Sequence, residues 1–408
     1  MKIWHPFTQE KTADAPIKIV KAENEYLFDD TGKKYIDMVS SWWVNTLGHA
    51  NKEIAEAIYK QATILEHVIF AGFSHDPAEK LCEELSKFLP SELSKFFFSD
   101  NGSTAVEVSL KIAYQYFKNR NVSGKNIFIN LEGAYHGDTL GAMSVAGNNS
   151  TYHSTFSEFF FQTFSIDFPK NKNEEDIAIE KLNMFLKENN EKVCALIIEP
   201  LIQGAAGMRV YPHDFLEKIV NSIRKYDILV IFDEVMTGFF RTGTMFALNQ
   251  VSVVPDIVCI SKGITGGFMP LSLTITTEKI YKEFLSDDWK KAFIHGHSYT
   301  ANPIACAAAC KALEIIQRED VQKNIHLLSK YQKENLNQLK GVSNKRHIGV
   351  ISAFEVESPI IAKQISKNMM EKGIIIRPIE NTIYLIPPYC ISKENLNYVY
   401  KTLQNFFS

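Results

Sequence analysis

Ile228-Leu229-Val230-Ile231-Phe232 runs straight into Asp233-Glu234-Val235, and Ile257-Val258-Cys259-Ile260 runs into Ser261-Lys262-Gly263. Each is a short apolar run, mostly β-branched, that ends on polar chemistry. Continuous runs of this length suit strands buried on both faces. Residues 95–99, 126–130 and 193–199 have the same character. Amphipathic stretches lie between them. Val106, Leu110, Ala113 and Phe117 repeat at 4-3-4 spacing, which predicts a helix over 104–118 with one apolar stripe. Residues 175–189 read as another, with a charged outer face. Strand and helix alternating in this order predict an α/β domain whose mainly parallel sheet is flanked by helices.

The two ends read differently. Residues 17–37 look like short strands with a turn at Asp29-Asp30-Thr31-Gly32-Lys33. Residues 319–408 mix helix and strand, with a turn before 383–386. These features predict a smaller α+β unit assembled from residues 1–40 and 319–408, beside a large domain over 41–318. The alanine-rich stretch 301–313 is expected to be a closely packed helix leading into it.

Composition narrows the function classes. The chain has 408 residues, of which 45% are hydrophobic, so it can bury a large core. Lysine plus arginine is 44 against 47 acidic residues, a net charge of −3, which argues against a nucleic-acid binder relying on a broad basic field. No stretch reaches the roughly 18 apolar residues of a membrane helix. The six cysteines form no C-x-x-C pair, as expected of small buried hydrophobes in a reducing compartment. A cytoplasmic protein without membrane or nucleic-acid partners is therefore expected. The glycines never fall at G-x-G spacing, so the dinucleotide fingerprint is absent. G-K-S/T, H-E-x-x-H and G-x-S-x-G are absent too. His295 and His297, two apart, are the nearest approach to a metal pair, and no metal is expected.

In an open α/β sheet, ligands bind beyond the carboxyl ends of the strands. After 95–99 comes Asp100-Asn101-Gly102-Ser103-Thr104, opening the amphipathic helix. Its free N–H groups and the glycine suit a phosphate; the alternative is a plain N-cap by Ser103 or Thr104. After 126–130 comes Tyr135-His136 between Gly133 and Gly137, an aromatic loop that either offers a flat plate or covers a core edge. Asp233 ends a buried strand, which is costly unless the carboxylate is paired; a structural salt bridge would also serve. Lys262 follows the next strand, either as a desolvated amine that attacks carbonyls or as a snorkelling lysine. Pyridoxal 5′-phosphate needs all four together: N–H donors for phosphate, a plate for the ring, a carboxylate for the pyridine nitrogen and a lysine for a Schiff base.

At these residues the sequence resembles a known family. Asp233-Glu234-Val235-Met236-Thr237-Gly238-Phe239 followed by Ser261-Lys262-Gly263 is similar to the class III aminotransferases, whose fold is type I of the pyridoxal-phosphate transferases. The resemblance covers nearly the whole chain. Trp4-His5-Pro6-Phe7-Thr8, Ser40-Ser41-Trp42-Trp43, residues 99–107 and Ala134-Tyr135-His136-Gly137-Asp138-Thr139 resemble the branch of that class that aminates 8-amino-7-oxononanoate in biotin biosynthesis. The resemblance implies that Lys262 carries the cofactor and moves the proton, that Asp233 pairs with the ring nitrogen, that Tyr135 stacks on the ring and that Gly102 and Ser103 bind phosphate. It implies that Gly296-His297-Ser298 reaches the phosphate and substrate from the neighbouring subunit, so the site needs a homodimer. Trp42 and Trp43 match the wall of the substrate channel, Arg377 the carboxylate-binding arginine, and Arg241 a residue near the substrate.

Four positions depart from the branch: Phe7 replaces a tyrosine, His297-Ser298 a proline–threonine pair, and Phe240 a glycine. They bear on the amino donor, expected to be S-adenosylmethionine, with lysine as the alternative. Other rivals are an ω-amino-acid transaminase, a semialdehyde aminomutase and a non-catalytic protein that keeps the fold.

Overall fold

The computed structural model describes residues 2–146 and 154–407. A seven-stranded sheet forms its centre, in the order Leu93–Ser99, Ser272–Thr277, Ile257–Ile260, Leu229–Asp233, Val193–Ile198, Ile127–Leu131, Thr163–Ile166. Every pairing is parallel except those of Ser272–Thr277, which runs antiparallel to both neighbours. The apolar runs form strands because both faces are covered. Val230 and Phe232 enter one buried cluster and Leu229 and Ile231 the other, the period-two alternation of a pleated strand. Reversing one strand twice leaves Leu93–Ser99 running with the parallel set. The chain segments after Ser99, Leu131, Ile198, Asp233 and Ile260 therefore emerge at one end of the sheet.

Two strands escape the apolar-run criterion. Ser272–Thr277 carries buried Thr274 and Thr276, and Thr274 Oγ1 donates to Ala105 O at 2.8 Å. Thr163–Ile166 is a half-buried edge. The amphipathic segments form the helices Gly102–Asn119 and Lys172–Asn189, a little longer than the periodicity predicts, and the alanine-rich helix runs Pro303–Ile316.

Both ends of the chain meet in a four-stranded sheet, Ile19–Glu23, Tyr26–Asp29, Lys34–Asp37, Ile374–Ile375. Its turn closes where Asp29 Oδ1 accepts from the Thr31 and Lys33 N–H groups at 3.0 and 2.9 Å. Ile374–Ile375 joins parallel to Lys34–Asp37. A three-stranded sheet, Ser343–Ile348, Ile351–Glu355, Thr382–Leu385, completes the C-terminal part. Among the described residues, no helix is long and apolar enough to cross a membrane.

Candidate active site

The cradle at the first strand end is built by capping. Asn101, not Ser103 or Thr104, caps the helix: its Oδ1 accepts from Thr104 N at 3.0 Å, and Thr104 Oγ1 accepts from Asn101 N at 3.2 Å. Ala105 N bonds Asn101 O. The N–H groups of Gly102 and Ser103 begin the first turn, where no intrahelical acceptor exists. Glycine at 102 is a packing requirement, since a Cβ would lie 2.6 Å from Val235 Cγ1. Gly137, at φ +123°, is required twice over, because a Cβ there would also collide with Ser103.

Asp100, Gly102, Ser103, Tyr135, His136, Glu199, Asp233 and Lys262 line a cavity of about 430 Å³ at this end of the sheet. Asp233 is buried at the end of its strand, and its carboxylate is fixed on both oxygens. Oδ2 is 2.7 Å from His136 Nδ1, and Oδ1 accepts from Val235 N at 3.0 Å. Lys262 leaves the sheet at a left-handed φ of 46°, costly for a residue with a Cβ. Burial pushes its amine below the ordinary lysine range, while Asp233 and Glu199 pull it back up.

Glu199 extends the strand Val193–Ile198 as Asp233 ends its own. Its Oε1 accepts from Tyr135 N at 3.2 Å and its Oε2 from Gly204 N at 2.9 Å. Burial pushes this carboxyl up to about 7; His136 opposes the rise and Asp233 adds to it. Tyr135 is anchored at its other end as well, its hydroxyl donating to Asp138 Oδ2 at 2.8 Å.

A second cavity, of about 670 Å³, adjoins the first through Trp43, Val44, Tyr135 and Lys262. Phe7, Trp42, Arg377 and Tyr384 complete much of its wall. Lys262 Nζ lies 4.8 Å from the Trp43 ring centre, and the Arg377 guanidinium 4.6 Å from that of Trp42. Phe7 meets Trp42 edge-on at 5.3 Å. The basin is largely aromatic with one arginine at an exposed position, a shape for a chain that is apolar along its length and anionic at one end.

Thus Lys262, Asp233, Tyr135, Gly102 and Ser103 converge on one cavity, and Trp42, Trp43 and Arg377 on its neighbour. Arg241 is not brought to either. It is 1% exposed, donating to Pro387 O at 3.2 Å, Trp43 O at 3.3 Å and Asn45 O at 3.0 Å. In place of the expected position beside the substrate, it lies behind the tryptophans, its guanidinium turned to these three carbonyls. Gly296, His297 and Ser298 also line neither cavity; Gly296 and Ser298 are exposed. Two residues that sequence reasoning assigned no role, His136 and Glu199, are buried against the others. Glu199 carried the signal used for Asp233, an acid closing an apolar run; His136 carried none beyond its place in the loop.

The lining fits pyridoxal 5′-phosphate. The capped helix end offers two N–H groups and the Ser103 hydroxyl, the cavity size suits a small cofactor, and a lysine and a carboxylate face it from adjacent strand ends.

The family model of class-III aminotransferases matches residues 7–407. The adenosylmethionine-8-amino-7-oxononanoate aminotransferase of Synechococcus elongatus is 43% identical, covering 98% of this chain and 97% of its own length. The enzyme of that name from Helicobacter pylori is 39% identical over 97% of this chain and 93% of its own. The crystal structure of the Methanocaldococcus jannaschii enzyme superposes with a TM-score of 0.93 at 36% identity, covering 100% of this chain and 96% of that one. With a family match over almost its full length and relatives well above 30% identity, the chain belongs to the class-III aminotransferases.

Proposed function

We propose that this aminotransferase converts 8-amino-7-oxononanoate to 7,8-diaminononanoate, the amination step of biotin biosynthesis, with S-adenosylmethionine as amino donor. The observation that carries the reading is the aromatic basin of Trp42, Trp43 and Phe7 with Arg377 at its edge, opening onto Lys262. The keto acid has a long methylene chain and a terminal carboxylate. An aromatic wall contributes about 0.8 kcal/mol per buried CH₂, and a guanidinium binds a carboxylate in bidentate fashion. The names borne by the relatives agree.

Pyridoxal phosphate, when bound, supplies an aldehyde that condenses with amines and a ring that takes up the electron pair of a substrate carbanion. The chain's part is orientation and proton movement. Gly102, Ser103 and the helix end would hold the phosphate. Tyr135, tethered to Glu199 and Asp138, would lie against the ring. Asp233 would pair with the ring nitrogen, and His136 and Val235 N keep its carboxylate from turning away. Lys262 Nζ, with its lowered proton affinity, would hold the cofactor aldehyde. As a free amine, Lys262 Nζ would take the proton from the substrate carbon bearing the amine. In the second half of the reaction it returns a proton to the former keto carbon.

The assembly is a homodimer in which His297 and Ser298 of one subunit complete the phosphate site of the other; that they line neither cavity of their own chain supports this. The six free cysteines support a reducing, cytoplasmic setting. A coupled assay tests the reading. Turnover of 8-amino-7-oxononanoate with S-adenosylmethionine is expected. Turnover of pyruvate or a semialdehyde with none of the oxononanoate defeats it, and turnover with lysine alone reassigns the donor.

A further inference from the structure

The two tryptophans stand on an unusual backbone. Ser40, Ser41, Trp42 and Trp43 have φ of 48°, 45°, 69° and 73°, four successive left-handed residues without a glycine. L-residues avoid this conformation singly, and a run of four persists only when its surroundings over-determine it. A single buried carboxylate ties most of those surroundings together. Asp37 is 1% exposed at the end of the strand Lys34–Asp37. Its Oδ1 accepts from Val39 N at 3.1 Å, just before the turn. Its Oδ2 accepts from Ser41 Oγ at 2.8 Å, inside the turn, and lies 3.0 Å from His49 Nε2. His49 Nδ1 is 3.0 Å from Asn45 Nδ2, just after the turn. If His49 donates from Nε2, Nδ1 is left to accept from the Asn45 amide, so one neutral tautomer satisfies both contacts. The far side is held by Ser40 Oγ donating to Ile386 O at 2.6 Å.

Asp37 lines neither cavity, yet its carboxylate binds Ser41 within the turn, Val39 just before it and His49, which meets Asn45 just after it; that turn places Trp43 over Lys262 and Trp42 over Arg377. We infer that Asp37, relayed through Ser41 and His49, is a positioning residue for substrate specificity. It holds the left-handed turn in register so that the tryptophan wall reads the length of the acyl chain. The inference rests on the reading of the aromatic basin as the keto-acid channel.

The test uses holoenzyme and a series of ω-carboxylated keto acids differing by one methylene. In the wild type, each methylene buried against the wall is expected to change kcat/KM by about fourfold up to the optimal length. Asp37→Asn is nearly isosteric, but it turns an acceptor into a donor facing Ser41 and His49. The expected result is a chain-length dependence flattened to less than twofold per methylene. KM for the optimal acid should rise about tenfold with kcat within about threefold, while the visible absorbance of the bound cofactor and its pH titration stay as in the wild type. Ser41→Ala, which removes one of the tethers and leaves the fold intact, should move the same slope in the same direction by a smaller amount. It carries the test if Asp37→Asn fails to accumulate. A wild-type slope in the variants overturns the inference, as does a loss of cofactor absorbance that accounts for the whole defect. If the wild type itself shows no preference for long acids, the channel reading fails instead.

Discussion

Arg377 offers the sharpest test of the proposed substrate, because its contribution can be varied from both sides of the contact. It is exposed at the mouth of the aromatic basin, held over Trp42 at 4.6 Å. A charge-assisted hydrogen bond to a carboxylate contributes about 1.5–3 kcal/mol, and its exposed position places Arg377 near the lower end. Arg377→Gln is therefore expected to lower kcat/KM for 8-amino-7-oxononanoate by roughly 10- to 30-fold, since 1.4 kcal/mol is a factor of ten. The same loss should be obtained in the wild type by esterifying the substrate carboxylate. The decisive quantity is the acid-to-ester preference, measured as a ratio of kcat/KM values with the donor held constant. The wild type should prefer the acid by roughly tenfold or more, and Arg377→Gln should prefer it by less than about threefold. The combination of variant and ester should be little worse than either alone, because both remove one interaction. A variant that keeps the wild-type preference for the acid would show that the carboxylate binds elsewhere, and the basin would lose its claim to this substrate.

Two further outcomes follow from the inner cavity. Lys262→Ala should lose transamination by about 10³-fold or more while still folding, and borohydride reduction of wild-type holoenzyme followed by peptide mass mapping should place the pyridoxyl group on residue 262. Label at any other lysine refutes the assignment. Glu199, raised to about 7 from 4.5, holds its proton more tightly in the folded than in the unfolded cofactor-free protein. Between those pH values the native state binds more protons at this group, so the Glu199 contribution to stability is fully present below about 4.5 and is lost as the pH rises through 7. Glu199→Gln removes that slope. The gap between thermal midpoints at pH 5 and pH 8 should narrow in the variant, and an unchanged gap would mean that the carboxyl titrates normally.

The part of the site legible in the sequence is the part set by local rules. A buried strand written as an uninterrupted apolar run ends where polar chemistry begins, so Asp233 and Lys262 stand out without any knowledge of the fold. The same rule points to the Gly102–Ser103 turn but not to its cap: Asn101, which precedes the glycine, caps the helix, with Thr104 Oγ1 returning a bond to Asn101 N. Ser272–Thr277 was hidden because its threonines, polar by type, satisfy their hydroxyls inside the sheet.

The groups that aim these side chains obey no local rule. His136 meets Asp233 across 97 residues, and Arg241 reaches the carbonyl of Trp43 across 198. At Ser40–Trp43 the failure is more instructive. Four left-handed residues without glycine contradict every local preference of the backbone, so no reading of propensity would place Trp42 and Trp43 as they are found. Local preference and fold disagree there because the turn is held by a carboxylate at the adjacent strand end and by two distant partners, the carbonyl of Ile386 and a buried guanidinium. A conflict between local preference and tertiary demand is expected to concentrate where geometry serves recognition rather than stability. The turn lies between Lys262 on one side and Arg377 on the other, the two ends between which a substrate's reacting carbon and its carboxylate would have to be spaced. Strained backbone at this point, tied to a buried carboxylate that lines neither cavity, makes that spacing depend on Asp37 and its contacts to Val39, Ser41 and His49.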